Sequence, residues 1–353
     1  MKRVAVLGGD GIGPEVTGEA LRILRAVEAL DTRIDLSFES FDWGSERYLR
    51  TGSMMPEDGI EELSRFDSIL LGAVGDPRIP DHVTLWGLLL PIRQRFDQYV
   101  NLRPVRLLPG VPSVLSTVPR EAIDMIFVRE NTEGEYSGKG DFFFPEDPQR
   151  EMAIGLSVFT RRGIERVVRY AFELGRRTGR SVTSISKGNA LRHTAVLWDR
   201  VFEEVARDFP DVVSQSYLVD AAAMLFVRDP GRFGVVVASN LFGDILTDLG
   251  AAIAGGMGLA ASANLDPTGT HPSMFEPVHG SAPDIAGEGL ANPMASIWAA
   301  TLMLEHLGHA EAARAVLQAL EDTIRDGVTT RDLGGTAKTA EVGQAVERAL
   351  RKA

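Results

Sequence analysis

At 353 residues the chain is long for one hydrophobic core, so two domains are expected. A composition of 44% hydrophobic and 24% charged residues excludes disordered and fibrous classes. A net charge of -12 argues against nucleic-acid binding, and the absence of cysteine excludes disulfides, thiolate metal sites and cysteine nucleophiles. The apolar run after Lys2 and Arg3 is only Val4–Leu7, too short for a signal peptide. No later run reaches membrane-spanning length, so a soluble, cytoplasmic protein without a membrane partner is expected.

In chain order, Val4–Leu7 reads as a buried strand leading into the turn Gly8-Gly9-Asp10-Gly11-Ile12-Gly13. Pro14 then opens a helix whose apolar stripe is Val16, Ala20, Ile23, Leu24 and Val27. The glycine spacing is neither G-x-G-x-x-G nor a Walker loop, so phosphate binding and a tight backbone crossing are equal readings. Ser68–Leu71 is a second strand ending in Gly72-Ala73-Val74-Gly75. The repeated strand-to-glycine pattern suggests a parallel α/β sheet with a cleft at its strand ends. Arg93, Arg103 and Arg129 each follow or flank an element end and could grip carboxylates bidentately if they converge.

Residues 137–160, with Phe142-Phe143-Phe144, read as a protruding loop and strand suited to a dimer contact. Ile164, Val167, Val168, Ala171 and Phe172 mark a core-facing helix, and Val182–Ile185 is a strand ending at Lys187. Tyr217–Met224 turns from strand to helix with Asp220 at the junction, where an N-cap is the plain reading. The strand Val235–Ala238 likewise turns into a helix that carries Asp244 and Asp248 four residues apart, hence on one face. Their repulsion, roughly 0.2–0.5 kcal/mol, is offset either by a divalent cation or by solvent. Phe275–Asp284 reads as a Gly/Pro-rich loop, the helix Met294–Leu307 follows, and a helix with Val342, Ala345, Val346, Ala349 and Leu350 on one face ends the pattern.

Six segments together resemble the β-decarboxylating dehydrogenases, the isopropylmalate, isocitrate, homoisocitrate and tartrate/D-malate dehydrogenase family. They are GGDGIGPEV at 8–16, GAVG at 72–75, NLRP at 101–104, VRENTEGEY at 128–136, SNLFGDILTDL at 239–249 and FEPVHGSAPDIAG at 275–287. Residues 80–106 look most like the tartrate/D-malate branch, with Trp86 where isopropylmalate enzymes usually carry an acid. The resemblance implies an α/β, isopropylmalate dehydrogenase-like two-domain fold with a mixed sheet flanked by helices, not a true Rossmann fold. It implies a larger, discontinuous NAD-binding domain of residues 1–98 and 250–353, and a smaller substrate, metal and dimerisation domain of residues 99–249.

The implied reaction is oxidative decarboxylation of a hydroxy diacid such as D-malate or tartrate, with NAD and Mg²⁺ or Mn²⁺, and K⁺ as an optional activator. Tyr136 and Lys187 match the catalytic pair. Arg93, Arg103, Arg129, Asn189, Trp86 and Leu89 match substrate positions, and Asp220, Asp244 and Asp248 match metal ligands. Ile12, Glu276, His279, Gly280, Ser281, Ala282, Asp284 and Asn292 match cofactor positions, with Asp284 suiting NAD rather than its 2′-phosphorylated form. A homodimer with active sites shared between subunits is implied, and a tetramer is compatible with it. There are departures: Gly188 stands where a serine is usual in the tartrate/D-malate branch, Leu88 replaces a small residue, and Val219–Met224 is closer to the isopropylmalate type. A 3-isopropylmalate dehydrogenase using Leu88, Leu89 and Leu90 is therefore the alternative enzyme. A catalytically silent metabolite-binding relative is the alternative outside enzymes.

Overall fold

The computed structural model describes residues 1–352. Two compact units are formed: one from Met1–Gln98, Arg106–Ser116 and Ala251 onward, the other from Tyr99–Val105 and Thr117–Gly250. The stretch Arg106–Ser116 therefore lies with the first unit.

In the first unit, neighbouring strands run in the order Leu36–Phe41, Lys2–Gly9, Ser68–Ala73, Ser273–Pro277 and Ala261–Leu265. The first three junctions are parallel and the last is antiparallel, so the sheet is mixed. The helix Gly13–Leu30 packs on the central strands through Val16, Ala20, Ile23 and Leu24, all without exposed surface. Met294–His306 is buried through its first eight residues, so it presents no polar face.

Residues 275–277, expected as loop, are the end of a strand, Ser273–Pro277. Every residue of this strand is buried, so it has no polar-apolar alternation by which to be recognised.

In the second unit the order is Val100–Arg106, Asp124–Glu130, Val235–Ala238, Val182–Ser186 and Ser214–Leu218. Val235–Ala238 runs parallel to both of its neighbours and is fully buried, which explains its unbroken apolar sequence. The helix Arg161–Thr178 covers this sheet. It starts where the Thr160 hydroxyl accepts the Gly163 N–H and stops where Gly179 turns left-handed. A separate antiparallel hairpin pairs Gly134–Phe143 with Met152–Val158, so the expected loop and strand are two strands. The second of them is solvent-exposed along its whole length.

Candidate active site

In the second unit, strand Val235–Ala238 hands over to the helix Asn240–Ile253, whose first two turns collect charged groups. Asn240 Oδ1 accepts from Arg129 Nε at 3.0 Å and Nη2 at 2.7 Å, while its Nδ2 donates to the Glu133 carbonyl at 3.2 Å. Arg129, 3% exposed, also pairs with Asp244 through Nη1. Its stem crosses the helix at Gly243, where an added Cβ would lie 2.7 Å from Arg129 Cγ. A glycine is required there for the arginine to reach its partners.

Arg103, also buried, donates from Nε to Asn101 Oδ1 at 2.7 Å and from Nη1 to Thr247 Oγ1 at 2.6 Å. Its Nη2 lies 3.4 Å from Asp244 Oδ1. The Tyr136 hydroxyl donates to Asp244 Oδ2 at 3.1 Å, and the Arg129 guanidinium sits 5.6 Å from the Tyr136 ring centre. Arg103, Arg129, Tyr136 and Asp244 thus converge. Asp248, one turn further along, has its pKa raised by desolvation first and by the Asp244 charge second.

Lys187 follows the strand Val182–Ser186, and its Nζ donates to Asp220 Oδ1 at 2.7 Å. That hydrogen bond holds the Asp220 carboxyl below its ordinary pKa. Asp220 is not an N-cap: Leu218 caps the helix Val219–Arg228, and Asp220 is its second residue. Asn189 is exposed on the same turn as Lys187. A side chain at Gly188 would collide with the Asp199 carboxylate, so that carboxylate would have to move to admit one. Among the described residues, no group of three or more His, Cys, Asp or Glu side chains is placed to hold a metal ion. Asp220 therefore does not join Asp244 and Asp248 within one chain.

In the first unit, the glycine-rich turn is a tight backbone crossing. Gly9 and Gly11 have φ of 71° and 56°, and side chains there would meet the carbonyls of Ala73 and Ser281. The buried Asp10 carboxylate ties the turn down, accepting from Ser45 N and Oγ at 2.7 Å and from Gly75 N at 2.8 Å. The loop carrying most of the expected cofactor positions docks on this turn. Ile12 N donates to Ser281 O at 2.8 Å, Gly287 N donates to Glu15 Oε1 at 2.7 Å, and Ile12, Val16 and Ala291 pack with Ala282, Ile285 and Ala286. Gly280 and Asp284 are exposed beside buried Ser281. Burial pushes the His279 pKa down, which favours neutral imidazole; its Nδ1 lies 3.0 Å from the Gly280 carbonyl and its buried Nε2 has no partner.

Asn292 uses both ends of its side chain within the fold, accepting from Met294 N at 3.0 Å and donating to Asp332 at 2.9 Å. Glu276 and Arg93 form a buried ion pair at 2.7 Å, with Asn264 also donating to Glu276 at 2.8 Å. Leu85–Leu89 forms a π-helical turn that leaves Trp86 42% exposed while Leu88 is fully buried. Leu89 packs against the same core as Leu88.

Sequence reading missed Asp10, Asn240 and Thr247 as parts of these arrangements. Asp10 had a signal, an acid inside a glycine turn. Asn240 and Thr247 had none beyond their place on the aspartate helix.

The family described as Isocitrate/isopropylmalate dehydrogenase matches residues 3–346. A tartrate dehydrogenase/decarboxylase of Pseudomonas putida is 49% identical over 357 residues, covering 99% of this chain and 97% of that one. A 3-isopropylmalate dehydrogenase of Frankia casuarinae is 55% identical over a shorter 325 residues, 92% of this chain and 93% of its own. The crystal structure of isocitrate dehydrogenase from Methylococcus capsulatus matches with a TM-score of 0.90 at 34% identity, covering 99% of this chain and all of that one. With fold, motif positions and full-length similarity in agreement, the chain belongs to the isocitrate/isopropylmalate dehydrogenase family of oxidative decarboxylating dehydrogenases.

Proposed function

We propose that the chain oxidises and decarboxylates a malate-type 2-hydroxy diacid, D-malate or tartrate, in the cytoplasm with NAD⁺ and a divalent cation. The residues fit both groups. The orphaned His279 Nε2 and the loop docked on Gly11 and Ile12 suit an adenosine, while exposed Asp284 suits a free ribose hydroxyl. Asp244 and Asp248 offer two hard oxygen ligands on one helix face. A cation held by Asp244 and Asp248 would supply acidification of the C2 hydroxyl, and NAD⁺ held at the 279–292 loop would supply the hydride acceptor.

Arg103 and Arg129 would hold carboxylate through their fixed forks. Lys187 would take the C2 hydroxyl proton as the general base. The 3-carboxy-2-keto acid loses CO₂, and Tyr136 protonates the resulting enolate at carbon.

Asp220 and Lys187 would complete the site of a second subunit. The hairpin exposes Phe142, Phe144, Ile154 and Leu156 at 41–67%, an apolar surface suited to that homodimer.

The observation that carries the substrate reading is the 85–90 turn. Leu88 and Leu90 are 0% and 8% exposed and belong to the core, so two of the three leucines that would hold an isopropyl group face inward. Steady-state kinetics on D-malate, tartrate and 3-isopropylmalate with NAD⁺ and Mn²⁺ test this. A kcat/KM for isopropylmalate more than tenfold above the others would overturn it, and the Frankia relative makes that the reading to exclude first.

A further inference from the structure

The turn that carries Lys187 is fastened from one side by the helix Thr194–Ala206, which packs against the strand Val182–Ser186. Alternate side chains of a strand share a face, so Ser184 and Ser186 point toward the same layer. Each is engaged by one of two successive residues of that helix. Trp198, 1% exposed, donates from its indole N–H to Ser184 Oγ at 3.0 Å. Half-buried Asp199 accepts from the Ser186 hydroxyl. Ser186 Oγ in turn accepts from Gly188 N at 3.4 Å, and the Lys187 carbonyl accepts from Ala190 N at 3.0 Å and Leu191 N at 2.9 Å.

The Asp199 carboxylate also lies against Gly188, where it occupies the space a Cβ would take. The φ of Gly188 is not positive, so a glycine stands there for room and not for backbone freedom. Asp199 is poorly placed to stabilise the fold. Burial raises its pKa, Glu203 one turn along the helix raises it further, and the Ser186 hydrogen bond opposes both. With the folded pKa raised, its favourable contribution is present below the unfolded pKa and is lost as pH rises through the folded one. An ionised Asp199 at neutral pH is thus held at a cost, the pattern of groups kept for function.

We propose that Asp199 is a positioning residue for Lys187, fixing through Ser186 and Gly188 the turn from which the lysine reaches the reacting hydroxyl. The proposal rests on Lys187 being the base of the reaction proposed above. Asp220 holds the ammonium end of the side chain at 2.7 Å, and the clasp of Asp199 on Ser186 holds its root. A general base must stand within hydrogen-bond reach of the proton it removes. Displacing its root by about 1 Å can cost on the order of 10²-fold in rate.

The test uses the intact protein and two kinds of readout. Asp199→Ala is expected to lower kcat about tenfold or more, with the KM for NAD⁺ unchanged and no fall in Tm. Asp199→Asn keeps an oxygen for the Ser186 hydroxyl and is expected to recover most of that loss. Gly188→Ala displaces the carboxylate and is expected to mimic Asp199→Ala, with the double variant no worse than either alone, since both act through one contact. Acetylation of Lys187 by N-hydroxysuccinimidyl acetate, followed by mass spectrometry without substrate, is expected to run about threefold faster in Asp199→Ala, with Lys338 unchanged. Unaltered Lys187 acetylation, an Asn variant as impaired as the Ala variant, additive effects of the two substitutions, or a Tm that falls in step with kcat would each overturn the proposal. Faster acetylation with an unaltered kcat would support the clasp and remove Lys187 from the chemistry, so the two failures are told apart.

Discussion

Two strand-to-helix junctions at the ends of parallel strands are built in opposite ways. Between Lys2–Gly9 and Gly13–Leu30 the chain uses backbone: Gly9 and Gly11 adopt positive φ, and the one carboxylate, Asp10, is turned inward to fasten the turn. Between Val235–Ala238 and Asn240–Ile253 it uses side chains: Asn240, Asp244 and Thr247 receive Arg129, Arg103 and Tyr136. At the second junction the Asp244 carboxylate is held by the buried arginines Arg103 and Arg129. Outside both stands the exposed Lys187–Asp220 pair, whose side chains are 26% and 67% accessible. The buried arginine–aspartate cluster and the exposed lysine–aspartate pair are thus separated in the sequence and in their degree of burial.

The most severe test of that separation is Lys187→Ala. Loss of a general base lowers kcat by about 10²–10⁴-fold. The ion pair it breaks is exposed, so Tm should scarcely move, and NAD⁺ affinity should be retained. An unaltered kcat would remove Lys187 from the chemistry, and a collapse in Tm would make it scaffold. Tyr136→Phe is expected to lower decarboxylating turnover by roughly 10²-fold, the lower end for a proton donor. The diagnostic result is pyruvate formation from D-malate falling more than NADH formation in a single turnover; equal falls would place Tyr136 before the decarboxylation.

At the backbone junction, Gly11→Ala puts a methyl group against the Ser281 carbonyl. It should cost about 1–3 kcal/mol in stability through strain. It should also raise the KM for NAD⁺ about tenfold, with kcat nearly unchanged. If KM were unmoved while Tm fell, the 281–292 loop would be structural only.

The smallest expected effect is at Asp248. Its folded pKa is raised, so the native state binds the proton more tightly than the unfolded chain does. The resulting stability is fully present below the unfolded pKa and is lost as pH rises through the folded one. At pH 7, without a divalent cation, Asp248→Asn should therefore stabilise by about 0.2–0.5 kcal/mol, the size of a like-charge i,i+4 repulsion. The gain should vanish in acid, and Mn²⁺ should raise Tm in wild type much more than in the variant. Equal Mn²⁺ stabilisation of both proteins would exclude Asp248 as a ligand.

The aspartate pair was legible from the sequence because a period of four on a helix fixes a shared face whatever the tertiary context. Recognisable motifs likewise revealed the family and fold class, which the full-length relatives bear out. The strand Ser273–Pro277 was not legible, since burial on both faces removes the alternation that distinguishes a strand from a loop. The burial of Leu88 was not legible for a related reason. In a run of three leucines nothing local says which faces the core, and the π-helical turn at 85–89 alters the usual helical phase. The pairing of Arg93 with Glu276, 183 residues away, could not be read from spacing at all.

The central claim, that the aspartate junction serves metal-dependent oxidative decarboxylation of a malate-type acid, is tested most directly by product stoichiometry. D-malate, tartrate and 3-isopropylmalate are each incubated with NAD⁺ and Mn²⁺, and NADH and released CO₂ are counted together. The expected result is one CO₂ per NADH from D-malate, with both products abolished by EDTA. NADH without CO₂ from D-malate, turnover indifferent to EDTA, or no NADH from any of the three acids despite measurable NAD⁺ binding would contradict it.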